Sequence, residues 1–160
     1  MRFLFVVLFS FSSLFISGCW WEEEEVRGPI SDGLTPKELF LKAQQLVDEG
    51  ATDDAIKTFE KIQAAYPSSK YSLQSKIEIP YLLFQKERYD ESIDRLNNFI
   101  KLYPKNEFSA YAYYLRGLVS ESKSKSILDD YLTDNAQRDV SSVKSALNYY
   151  LALIDNFPKK

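Results

Sequence analysis

TDDAIKTFEKIQAAYP (residues 52–67) and YDESIDRLNNFIKLYP (residues 89–104) align without a gap, 37 positions apart. Asp53 meets Asp90, Ile56 meets Ile93, Tyr66-Pro67 meets Tyr103-Pro104, and small or apolar residues face their like at most other positions. A third copy, VKSALNYYLALIDNFP (residues 143–158), follows 54 positions after the second, with Ala146 where Ala55 and Ser92 stand and Phe157-Pro158 in place of Tyr-Pro. A period in the thirties is the mark of helix pairs stacked into a solenoid, because one pair cannot bury its apolar face alone and a row of pairs can. Such an array offers curved surface to other macromolecules rather than a catalytic cleft. The expected fold class is therefore all-α.

Working outward, the folded part is expected to begin at Thr35-Pro36-Lys37-Glu38. Thr35 can accept from the orphan amides of the first turn, Pro36 supplies a fixed φ where no donor is missed, and Glu38 closes a capping box. Leu39, Ala43 and Leu46-Val47 repeat at helical spacing up to Gly50, and a partner helix runs from about Asp53 to Ala65 with Ala55, Phe59 and Ile62 on one face. With Pro67 closing the unit, Ala43, Ala55 and Phe59 fall on the small, small and aromatic positions of a tetratricopeptide repeat. The expectation is an α-α superhelix of three such units: residues 35–67, 68–104 and 105–158.

The later units depart from the pattern in two ways. In the second, Ile77, Tyr81 and Phe84 mark the first helix, but Pro80 falls inside it, where it deletes a backbone bond and is expected to bend the helix. Three residues beyond a 34-residue norm predict longer helices there. In the third, Tyr111, Tyr114, Leu115 and Leu118 predict an apolar stripe at i, i+3, i+4 and i+7, and an insertion of 17 residues, at about 120–140, then breaks the period. Long insertions in repeat arrays lie on one rim and often carry contacts.

Ahead of the repeats, Met1-Arg2 precedes an uncharged run from Phe3 to Ile16, too short to span a bilayer and of the right size for the apolar core of a signal peptide over residues 1–18. The single cysteine, Cys19, follows in the order Ile16-Ser17-Gly18-Cys19. A lone thiol exported to an oxidising compartment needs a cap. The sequence resembles the lipobox of a bacterial lipoprotein, whose cysteine carries a diacylglycerol thioether and an N-acyl chain, an anchor strengthened by each buried methylene. Trp20 at the next position resembles a passenger sent on to the outer membrane. Residues 19–34, with Trp20-Trp21 and four glutamates from Glu22 to Glu25, read as an acidic tether.

Removing residues 1–18 takes away only Arg2, leaving 19 basic and 23 acidic side chains dispersed among one another. That balance argues against nucleic acid, which requires clustered cations. Histidine is absent, removing the commonest general base and metal ligand. With no Gly-rich phosphate loop and no metal-ligand cluster, the sequence predicts no catalytic residue, no metal site and no cofactor beyond the lipid on Cys19.

On YSLQSKIEIPYLLF (residues 71–84), YAYYLRGL (Tyr111–Leu118), DNAQRD (Asp134–Asp139) and AQQLVDEG (Ala43–Gly50), the chain resembles the BamD (ComL-like) family of outer-membrane assembly lipoproteins. The resemblance runs from the lipobox to Pro158. It implies a lipid-anchored subunit on the periplasmic face of the outer membrane, helping a barrel-forming insertase receive and fold outer-membrane proteins. It also implies partners: the POTRA region of a BamA-like insertase, gripped by the family's later repeats, and companion lipoproteins and unfolded substrates, received by the earlier ones. The family usually has about five repeats, so the chain reads as cut short after its third, leaving Leu147, Tyr150, Leu151 and Ile154 without a covering helix unless that face meets a partner.

Aromatic residues on the inner helices suit loose recognition of extended peptides, since they present large area at low rotamer cost. The candidate partner-binding residues are Tyr81, Phe84 and Tyr113, the last placed by helical phase off the Tyr111/Tyr114 stripe and so on the surface. Arg116, Arg138 and Asp139 join them as possible partners for charged groups. Two other readings compete: a lipoprotein adaptor of the same fold serving cell-wall synthesis or division, and an enzyme.

Overall fold

The capping box forms as its residues dictate. The Glu38 amide donates to Thr35 Oγ1 at 3.2 Å and the Thr35 amide to Glu38 Oε2 at 2.8 Å, starting helix α1 (Pro36–Asp48). The computed structural model of the protein describes residues 33–130 and 140–158. The signal segment, Cys19 and nearly all of the tether lie outside the described residues, as do Arg138 and Asp139. Five further helices follow: α2 (Thr52–Ala65), α3 (Lys70–Gln85), α4 (Tyr89–Leu102), α5 (Ser109–Asp130) and α6 (Val140–Asn156), with no strand among the described residues.

Successive helices pack as antiparallel neighbours, giving the tetratricopeptide-like α-α solenoid. The backbones of α1 and α3, and of α3 and α5, also come close, whereas those of α2 and α4 stand further apart, bridged by the Arg95–Glu60 ion pair, and those of α4 and α6 are not in close approach. First helices that meet along one side while second helices splay on the other put α1, α3 and α5 on the inside of the curve.

The period of 37 is written into the contacts. Gly50, at φ 76°, and Glu87, at φ 58°, make the same left-handed step between paired helices. Lys86 Nζ meets Asp53 at 3.1 Å, and Lys123 Nζ meets Asp90 at 2.5 Å, each lysine and each aspartate displaced by 37. Ala43, Pro80 and Gly117 form a third such series, all buried where a first helix lies against its second. Facing them, Ala55 and Ser92 are fully buried and Ala146 nearly so.

Pro80 does not end α3. The helix runs through it for 16 residues, three longer than α1 at 13, and the buried Ser92 hydroxyl donates to the Pro80 carbonyl at 2.7 Å. α3 is buried on two sides: Ile79, Leu82 and Leu83 join Leu39, Phe40, Phe59 and Ile62 in one core cluster, and Ile77 joins Leu96, Phe99, Leu115 and Val119 in another. With neighbours on most sides it has no single apolar stripe, and of the expected set Ile77, Tyr81 and Phe84 only Ile77 is fully buried.

The third unit corrects one expectation. The buried stripe of α5 is Ala112, Leu115 and Val119, while Tyr111 and Tyr114 are 41% and 47% exposed. The insertion is helix in its first part: α5 continues to Asp130 through Ser124, which stands at the position of the left-handed Gly50 and Glu87, and Lys125 pairs with Glu121 at 2.7 Å, one helical turn back. On α6, Val143, Leu147, Leu151 and Ile154 form an exposed apolar row.

Candidate peptide-binding face

Three tyrosines on the inner helices remain open to solvent: Tyr81 on α3, 37% exposed, and Tyr111 and Tyr114 on α5. They form one strip. Burial raises the Tyr111 phenol above its ordinary pKa, and Tyr81, Glu78 and Tyr114 are near enough to add to the effect. Glu78, half-buried on α3, is likewise pushed up by burial, against the opposing hydrogen bond donated by Gln74 at 3.4 Å. Tyr114 leads on to Tyr150 of α6, ring centroids 6.4 Å apart. The Tyr150 ring lies on Gly117, where a Cβ would come within 2.4 Å of it, and its hydroxyl donates to Glu121 at 3.1 Å. Burial first and Glu121 second push the Tyr150 phenol up to about 12.

The strip offers three wetted aromatic faces with phenol hydroxyls and the Glu78 carboxylate beside them. Rigid rings with a polar tip can cover an apolar side chain while hydrogen-bonding the backbone of an extended peptide.

Of the residues singled out from sequence, Tyr81 lies in this strip. Phe84 is half-buried against the second core cluster, its ring 6.2 Å from Tyr89. Tyr113 is not the surface residue that helical phase suggests: it is half-buried, edge-on to Phe157 at 5.7 Å. Arg116 lies over the rings of Tyr113 and Tyr149, at 5.0 and 4.0 Å, and its Nη1 donates to Asn97 Oδ1 at 2.8 Å. A guanidinium held by two rings and an amide ties α4, α5 and α6 together, and burial lowers its pKa. Phase alone missed this because Tyr149 of α6, over Arg116, and Phe157 just after that helix, against Tyr113, lie across the insertion. Tyr111 and Tyr114, assigned to the core by the same reasoning, are the surface pair. No helix among the described residues is long and apolar enough to cross a membrane.

Residues 32–160 match the YfiO family, described as outer membrane lipoprotein. The chain belongs to that family. Among curated YfiO-like relatives, it is 28% identical over 146 residues to the outer membrane protein assembly factor BamD of Xylella fastidiosa, an alignment covering 91% of this chain and 49% of the relative. It is 25% identical over 130 residues to the protein of that name from Neisseria meningitidis serogroup B, covering 81% and 49%, and 25% identical over 157 residues to that of Pasteurella multocida, covering 98% and 57%. The chain thus spans about half the length of these BamD relatives.

Proposed function

We propose that the chain acts in outer-membrane protein assembly as a lipid-anchored binding module, presenting the inner tyrosine strip to extended segments of unfolded outer-membrane proteins. Membership of the YfiO family and the relatives named as assembly factors support the process. The observation that carries the binding mode is the row Tyr81, Tyr111 and Tyr114, exposed on the inner helices, where Leu41 of α1 is exposed as well. Cys19 is the proposed lipid attachment site, the periplasmic face of the outer membrane the proposed location, and a BamA-like insertase and companion lipoproteins the proposed partners. No catalytic role is proposed.

The test is site-specific photocrosslinking in cells from positions 81, 111 and 114, with Lys57, exposed on α2, as a control position. Adducts with unfolded barrel precursors are expected at the first three and not at the fourth. Adducts confined to cell-wall synthesis or division proteins would replace this reading with the competing adaptor one.

A further inference from the structure

On the side away from the tyrosine strip, a cavity of about 150 Å³ opens where α2, α3 and α4 meet. Gln63, Lys76, Arg95 and Asn98 supply its polar groups, with Ile79 and Phe99 among the apolar ones. A shallower hollow of about 360 Å³ adjoins it, sharing Lys76 and Tyr103 and adding Lys70 and Leu73.

The charges here are unbalanced. Arg95 has a partner, Glu60 at 2.6 Å. Lys76 has none: its ammonium donates only to the neutral Gln63 Oε1, at 3.2 Å, and no carboxylate among the described residues lies within ion-pair distance. Burial and the neighbouring Arg95 both lower its pKa. The other end of the same amide, Gln63 Nε2, is buried without an acceptor. A half-buried ammonium beside a like charge and a buried N–H donor with nothing to donate to are each costly, and one bound acceptor anion would offset both.

From these contacts we infer that the cavity between α2, α3 and α4 is a second binding site, one that receives a peptide carboxylate between Lys76 and the Gln63 amide. The apolar surroundings select the ligand's class. Ile79 and Phe99 beside the cations, and the exposed Leu102 at the rim, suit a carboxylate with apolar neighbours along a peptide. A free phosphate, more strongly hydrated and wanting several charged donors, suits them less. Both an acidic side chain and a chain terminus present this chemistry.

The test uses the full chain in detergent and three synthetic apolar peptides. One is end-blocked with an internal glutamate, one has glutamine there and a free carboxy-terminus, and one is end-blocked with glutamine. Binding is followed by calorimetry and by the amide resonances of Gln63 and Asn98. At least one carboxylate peptide is expected to bind about tenfold more tightly than the neutral one, the worth of one charge-assisted hydrogen bond. Whichever wins identifies the carboxylate as side-chain or terminal. Lys76→Met is expected to erase the difference, and Lys76→Arg to keep most of it. Gln63→Leu, which removes the orphan donor without altering charge, is expected to reduce it. Equal binding of all three peptides, a difference that survives in Lys76→Met, or displacement of the peptide by inorganic phosphate at comparable concentration would overturn the assignment.

Discussion

Glu78 shows what a single residue contributes to the inner face and what it costs. Its carboxylate is half-buried among tyrosines, with Gln74 its hydrogen-bond donor, and burial raises its pKa above the ordinary carboxylate value. A folded-state pKa above the unfolded one means that the fold prefers the protonated form. The penalty is therefore present at neutral pH and disappears as acid protonates the group in both states. Glu78→Gln is expected to raise the melting temperature at pH 7, with the gain over the parent shrinking as pH falls through and below the carboxylate range, read by thermal melts across a pH series. Nothing in the local sequence marks Glu78, because Tyr111, near enough to interact with it, stands on a different helix. The cap residues are the opposite case. Thr35, Pro36 and Glu38 act within one turn, so their roles could be read from spacing alone, and the same locality made Gly50 legible as the end of α1.

At the scale of elements, the position held by Ala43, Pro80 and Gly117 decides how closely each first helix approaches its second. Gly117 takes the closest contact, the ring of Tyr150 occupying the space a methyl would need. Gly117→Ala gains roughly 1 kcal/mol in helix propensity. Against that, the ring must shift while its hydroxyl is held by Glu121, and overpacking of this kind costs about 1–3 kcal/mol. A net loss of about 1 kcal/mol is expected, with hydrogen-exchange protection falling first in α6. The small residues of the first unit, Ala43 and Ala55, were visible from the repeat pattern. Pro80 was visible only as a helix breaker; its membership of the series depends on aligning the turns at Gly50 and Glu87 rather than the helix starts, since α3 gains its three extra residues ahead of Pro80. Arg116 was beyond reach for a related reason, its ring partner Tyr149 lying past the insertion.

For the molecule as a whole, α3 belongs to both core clusters and so couples the first unit to the third. Ile79, fully buried at this junction, is the sensitive point: Ile79→Ala is expected to cost about 2–5 kcal/mol. Protection is expected to weaken across α1 to α4 together, as hydrogen exchange would report. The ion pairs that repeat with the array, Asp53 with Lys86 and Asp90 with Lys123, are exposed on at least one side and contribute little beside this. Stacking order and curvature followed from the repeat, whereas the cavity beside Lys76 joins residues from three helices and has no signature in any one segment. The continuation of α5 past Ser124 has a geometric result of its own. Six further residues at 1.5 Å each carry that rod about 9 Å beyond the level at which α1 and α3 turn back. The rim of the array is thus stepped rather than level, and a long ligand lying across all three units has to bend or stop at the ledge.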